Sequence, residues 1–293
     1  MIKLSFSSEI KQELNKTSNL TNKENVKYEL IGYLLSGNID QVNKSTIKFS
    51  TESDYNINRF SKLLANLDIN HNIEVSGKIF IVKVKVKDME DLIEYEEKQI
   101  IVKVEIDDKE EHLRAITRGL FLGSGSINNP ENKYHLEIVI KNKKNLTIAS
   151  EIFNKLGINI KKMVAQNKYF LYIKEGEEIS RFLALIGANR AVMNFEDIRI
   201  KKEMRGKVNR LVNCETANLN KTINASIEQI AAIKKLQQTG KFRNLDENLK
   251  ELANLRLENP EMSLVDLGKL LKKPVGKSGV NYRLKKIMEI ANE

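Results

Sequence analysis

The spacing of apolar positions along this chain changes several times, and the same order of changes occurs twice. Glu29 to Ile39 is a nearly unbroken apolar run containing Gly32 and Gly37, and Thr117 to Ile127 repeats it with Gly119, Gly123 and Gly125. Gly32 and Gly119 lie 87 positions apart. Both runs predict apolar helices ending in glycine. Farther along, Leu63 to Asn70 matches Ile152 to Asn159, and Phe80 to Lys85 matches Phe170 to Lys174. Tyr134 to Ile140 alternates as a half-buried strand does, whereas Leu146 to Leu156 has helical spacing. Each copy is predicted to be a unit of order α-β-β-α-β-β-α. The acidic stretch from Asp88 through Glu97 and on to Asp107, Asp108, Glu110 and Glu111 reads as the last helix of the first copy and a solvated crossing.

Past Gly187 the pattern becomes helical only. Ser226 opens a capping box ahead of Ile230, Ile233 and Leu236, and Gly240 closes that helix. Asp246 is placed to cap a helix carrying Leu249, Leu252, Ala253 and Leu257, which Asn259-Pro260 stops. Ser263-Leu264-Val265-Asp266 is another capping box, followed by a core stripe of Leu264, Leu267 and Leu271. After the turn Lys272 to Lys277, Ser278 caps a final helix whose buried stripe is Val280, Leu284, Ile287 and Met288. The predicted layout is an N-terminal helix (1–20), repeat one (21–108), repeat two (109–198), a basic linker (199–225) and a helical domain (226–293) with a helix-turn-helix at 263–290. The fold class is α+β, a duplicated body followed by an all-α domain.

Charge sharpens this picture. The 293 residues hold 49 Lys and Arg against 39 Asp and Glu, a net charge of +10, which favours a polyanionic partner without identifying it. The excess is local: Arg199, Lys201, Lys202, Arg205, Lys207 and Arg210 crowd into fourteen residues with the single acid Glu203. Ser263 to Glu293 holds seven basic residues against three acids. In the final helix Asn281, Tyr282, Arg283, Lys285 and Lys286 lie off the apolar stripe, as a recognition helix requires. Asn281 and Arg283 are the expected base readers; Lys277, Ser278, Lys285 and Lys286 the phosphate contacts; Tyr282, Lys272 and Lys273 lie on the same surface. Arg205, Lys207 and Arg210 are a second set of phosphate contacts. A lysine-rich helical bundle with no ligand is the bland reading of the same residues.

Other chemistries find little support. One cysteine, Cys214, excludes an internal disulfide framework, and His71, His112 and His135 are too scattered for a zinc motif. No apolar run suits a signal peptide or a membrane span, so a cytoplasmic, nucleoid-associated location is expected, with no cofactor, no metal and no catalytic residues. Gly123-Ser124-Gly125-Ser126 lacks the lysine of a phosphate-binding loop and reads better as a helix end where glycine supplies positive φ.

A duplicated unit opened by glycine-containing helices resembles the single-chain LAGLIDADG homing-endonuclease fold. That resemblance implies that the opening helices pack together through Gly32 and Gly119 and, in an active enzyme, end in carboxylates that hold a divalent cation. Here those positions carry Gly37 and Ser124, with Asp40 the nearest acid in copy one and Glu131 the first in copy two. More specifically, Ser5 to Leu14, Arg118 to Ile127 with Tyr134 to Glu137, Asn209 to Asn218, Ser263 to Gly268 and Lys277 to Leu284 together resemble the WhiA family of bacterial regulators. The Asn213-Cys214-Glu215-Thr216-Ala217-Asn218 string and the last motif are the most specific. The resemblance implies a degenerate LAGLIDADG body joined to a helix-turn-helix similar to the promoter-reading domain of sigma factors. It also implies a role in cell division, chromosome segregation or sporulation-type gene control, with double-stranded DNA and a second regulatory protein as partners. A sequence-specific regulator without nuclease activity is the leading reading. A nucleoid-associated interaction scaffold and an active homing endonuclease are the alternatives.

Overall fold

The computed structural model describes residues 4–16, 20–36, 38–43, 45–96, 99–103, 105–166 and 168–293. The chain divides into two compact units, 1–202 and 203–293. The first unit opens with α1 (Phe6–Lys16) and then repeats one arrangement. Copy one runs α2 (Lys23–Leu35), β1 (Ile39–Asn43), β2 (Thr46–Thr51), α3 (Asp54–Asn66), β3 (His71–Ser76) and β4 (Ile79–Lys85). A 3-10 turn (Val86–Met89) and a hairpin of β5 (Ile93–Glu96) and β6 (Gln99–Val102) follow. Copy two runs α4 (Glu110–Ser124), β7 (Gly125–Ile127), β8 (Leu136–Ile140), α5 (Lys143–Lys155), β9 (Lys161–Ala165), β10 (Lys168–Ile173) and α6 (Gly176–Ile186). The two four-stranded antiparallel sheets have matching orders, β1-β2-β4-β3 and β7-β8-β10-β9, which establishes the duplication in three dimensions.

Local chemistry sets these boundaries. Asn22, Ser53 and Asn142 each accept backbone N–H bonds at the starts of α2, α3 and α5. In β8, Leu136, Ile138 and Ile140 face the core, and β10 brings Leu171 and Ile173 to the same layer. The acidic stretch after β4 departs from expectation: it forms no helix but the 3-10 turn and the β5–β6 hairpin. Its apolar residues come in short runs, Leu92-Ile93 and Ile101-Val102, which are buried, and such runs suit four-residue strands better than a helical face.

The core of the unit is the crossing of α2 and α4. An ideal Cβ on Gly32 would lie 2.1 Å from the Ile116 carbonyl oxygen, and one on Gly119 would lie 2.0 Å from that of Glu29. One turn on, a Cβ on Gly123 would lie 2.2 Å from Ser36 Oγ. The pairs Gly32/Ser36 and Gly119/Gly123 therefore form small-residue stripes at i, i+4 that let the backbones touch. Gly123 and Gly125 serve space, not turn geometry: Gly123 lies within α4, and Gly125 has φ −74°. The expected positive φ is absent there because the chain passes from α4 directly into β7, with extended backbone at the junction.

A charged cluster sits at the same crossing. Arg59 of α3 grips Glu29 of α2 through Nε–Oε1 at 2.7 Å and Nη2–Oε2 at 2.9 Å, and Arg118 Nη1 of α4 reaches Oε2 at 3.1 Å. All three residues are buried. Burial opposes the Arg59 charge, and hydrogen bonding and Coulomb attraction from Glu29 overcome it, leaving the guanidinium above its ordinary pKa. Arg118 Nε also donates to the Ile186 carbonyl at 2.8 Å, tying the end of α6 to the cluster.

The helix α7 (Asn189–Gln238) contains Ser226 in its interior. The capping box expected there does not form: Ser226 Oγ donates to the Pro260 carbonyl. Asn209 to Ser226, polar but without Gly or Pro, offers nothing that stops a helix. Ala191 and Phe195 at its start are buried in the first unit, and Ile233 and Leu236 near its end in the second. Gly240 follows with φ +76°, the left-handed geometry expected past a helix end.

The second unit continues with a 3-10 turn (Lys241–Asn244), α8 (Glu247–Glu258), α9 (Leu264–Leu270) and α10 (Lys277–Asn292). Leu249, Leu252, Leu267, Leu271, Val280, Leu284 and Ile287 build its core.

Candidate nucleic-acid interface

The second unit fixes α10 on α8 and α9 by its apolar stripe, Val280, Leu284, Ile287 and Ala291. Ser263 caps α9 as expected, its Oγ accepting from the Asp266 N–H at 3.2 Å and donating to Asp266 Oδ2 at 2.7 Å. Hydrogen bonds from Lys269 and then Ser263 hold the Asp266 carboxyl below its usual pKa. Asp246 stands at the N-cap of α8 without a side-chain cap bond. Ser278 is not the cap of α10. Gly276 is, with its carbonyl accepting from Gly279 and Val280, so the first turn begins two residues earlier and Ser278 sits on its outer surface.

The turn between α9 and α10 depends on residues to which sequence reasoning gave no role. The Val275 N–H bonds the Gly268 carbonyl at 3.1 Å, and a Cβ on Gly268 would lie 2.1 Å from the Val275 carbonyl oxygen. A glycine inside a seven-residue helix was the only available signal. Gly268→Ala should destabilise the second unit by about 1–3 kcal/mol through backbone overpacking; an unchanged calorimetric transition would contradict that contact. Glu251 Oε1 of α8 accepts the Lys272 N–H at 2.6 Å, anchoring the other end of the turn. Arg256, buried, donates through Nη1 to the Met262 carbonyl at 2.8 Å and fixes the α8–α9 connection; burial lowers its pKa.

This frame distributes the expected contacts unequally. Lys277, Ser278, Asn281, Tyr282, Lys285 and Lys286 are exposed on α10, and Lys272 and Lys273 are exposed on the turn. At about 100° per residue, Ser278, Asn281, Tyr282 and Lys285 fall within about 100° of one another. Arg283 is half-buried and about 160° around the helix from Asn281, on the opposite flank. Lys286 lines a shallow hollow together with Lys241, Asp246 and Glu293. Arg205, Lys207 and Arg210 are exposed on α7 but not as one patch. Arg205 points about 160° from Lys207, which bonds Glu203 at 2.9 Å.

Residues 208–291 match a family model described as the WhiA C-terminal HTH domain, and residues 113–205 one described as the WhiA LAGLIDADG-like domain. A probable cell division protein WhiA from Clostridium tetani is 37% identical over 99% of this chain and 98% of its own length. The chain belongs to the WhiA family. The probable cell division protein WhiA of Clostridium acetobutylicum is 50% identical over 184 residues, a match that spans 63% of this chain and 58% of that relative. Full-length WhiA from Thermotoga maritima is similar in structure, with a TM-score of 0.62 and 31% identity across 99% of this chain and 98% of that one. These matches establish the LAGLIDADG-like body and the helix-turn-helix of this WhiA chain.

Ser124, at the position where the LAGLIDADG resemblance expects a metal-binding acid in copy two, and Asp40, the nearest acid in copy one, do not fit a divalent metal. Ser124 Oγ is committed to the Val139 carbonyl at 2.6 Å. Asp40 is paired with Lys141 Nζ, which also bonds the Ile39 carbonyl at 2.9 Å. Gly37 lies outside the described residues. Among the described residues no helix is long and apolar enough to cross a membrane.

Proposed function

We propose that this WhiA chain is a sequence-specific DNA-binding regulator of cell division genes that reads promoter DNA through α10. The carrying observation is the division of that helix into an apolar stripe buried on α8 and α9 and an exposed face of Ser278, Asn281, Tyr282 and Lys285 at its N-terminal half. The Asn281 amide suits bidentate pairing with adenine in the major groove. Arg283 is the second reader, on the far flank. Lys277, Lys285, Lys272 and Lys273 meet phosphate, as does the positive end of the α10 dipole. The names of the relatives support the link to cell division, and the cytoplasmic nucleoid is the place where such a protein acts. Arg205, Lys207 and Arg210 do not face one way, so they serve as separate phosphate contacts. We propose further that the body has no nuclease activity, because Ser124 is a poor metal ligand and a lysine neutralises Asp40.

Sheared genomic DNA selected by the protein at about 150 mM salt, where non-specific binding is weakened, should yield a few promoter fragments sharing one motif. Uniform recovery would leave a nucleoid scaffold instead. The same preparation should leave supercoiled plasmid intact in Mg²⁺ or Mn²⁺; metal-dependent nicking that Asp40→Ala abolishes would establish an enzyme.

A further inference from the structure

The second unit's part of α7 carries an apolar stripe that no described residue of that unit covers. Met204, Val208, Leu211 and Leu219 are 62%, 57%, 61% and 58% exposed. With Glu215 they follow the spacing 4-3-4-4, and Met204, Val208, Leu211 and Glu215 form one complete 4-3-4 step of an eleven-residue repeat. A stripe of that period stays in line along an α-helix and suits a second helix with the same period. The 4-3-4 part from Met204 to Glu215 is also a palindrome: reversed, it is unchanged.

We infer that this face of α7 is a self-association seam that pairs antiparallel with the same face of a second copy. A twofold axis between Asn209 and Arg210 sets Val208 of one chain against Leu211 of the other, and Met204 against Glu215. Charge selects this occupant and this direction. Glu215 is the only acid between Met204 and Ile227. Neither Glu215 nor Arg205 has an ion-pair partner in its own chain among the described residues. The antiparallel register brings Arg205 of one chain beside Glu215 of the other, whereas a parallel pair would stack Glu215 on Glu215 and Arg205 on Arg205. Arg210 lies about 120° around the helix from Met204, so nucleic acid bound on that flank leaves the seam free, and Arg205 is the one proposed phosphate contact that pairing takes up instead.

The test is sedimentation equilibrium of the full chain, with Cys214 as a built-in reporter. This cysteine is exposed and is the only one in the chain, so one nitroxide labels each copy. The expected result is a concentration-dependent dimer that Val208→Glu with Leu211→Glu converts to monomer at unchanged helix content, since both positions are exposed. Arg205→Glu and Glu215→Arg should each raise the dissociation constant about threefold to fivefold, and the two together should restore it to within about twofold. The labels should lie about 13 Å apart along the helix axis, nine residues at 1.5 Å. A chain that is monomeric at every concentration, a dimer indifferent to the Val208 and Leu211 substitutions, or labels at the same level, as in a parallel pair, would overturn the inference.

Discussion

Gly32→Ala should lower the melting transition of the first unit by about 10 °C, equivalent to about 3 kcal/mol or more. The reason lies in what the new methyl would meet. Its carbon would stand 2.1 Å from a main-chain oxygen of α4, 2.7 Å from the Leu120 nitrogen and 2.8 Å from the Gly119 Cα. Side chains can rotate out of the way, but helix backbones cannot, so α2 and α4 must move apart. Tyr33, Leu34, Leu120 and Phe121 are all buried around that crossing and would lose contact together. Gly119→Ala meets the reciprocal clash, 2.0 Å from the Glu29 carbonyl oxygen, and should behave alike. Calorimetry of each variant measures the effect, and a transition within about 2 °C of the parent would show that the crossing is looser than these distances require.

The second large effect belongs to Glu29. Replacing it with glutamine keeps the shape and removes the charge, leaving Arg59 and Arg118 buried with no anion between them. Breaking a buried ion pair from one side costs about 3–5 kcal/mol, because the stranded charge stays desolvated. Both guanidiniums lose this carboxylate, so a loss within that range is expected for Glu29→Gln in chemical denaturation. Removing all three charges, with Glu29→Leu, Arg59→Met and Arg118→Met, should recover more than half of the loss, since no uncompensated charge then remains. A triple variant less stable than Glu29→Gln would mean that the cluster holds the helices by its geometry more than by its charge balance.

The parts of this architecture that could be read in the sequence are those written in local spacing. The repeat, its four-stranded sheets and the closely packed helices follow from matched apolar runs and from Gly32 and Gly119. Gly240, Asn259-Pro260 and Ser263 punctuate helices where expected. Misreadings arose where a local signal competed with a longer-range one. Ser226 has a capping-box sequence, yet no residue before it stops a helix, and its hydroxyl has a partner in Pro260. Ser278 resembles a cap, but Gly276 takes that place because the turn from Leu271 approaches α9 through Gly268. The β5–β6 hairpin was hidden by acids that occupy its outward positions. Glu29 and Arg118 could have been suspected, since each interrupts an otherwise apolar helix, but their meeting with Arg59 is tertiary. On α10 the faces of Asn281 and Arg283 both follow from period; that Arg283 is half-buried on its flank needed the packed helices.

Base reading by α10 is tested most directly by the ratio of affinities for a selected promoter fragment and for random DNA in Asn281→Ala and Lys285→Ala. Asn281→Ala should cut that ratio by tenfold or more, about 1–3 kcal/mol, with random-DNA binding unchanged. Lys285→Ala should weaken both DNAs alike and reduce the salt slope by about one unit. Equal losses on both DNAs from Asn281→Ala would contradict the account and leave α10 as a phosphate-binding helix only.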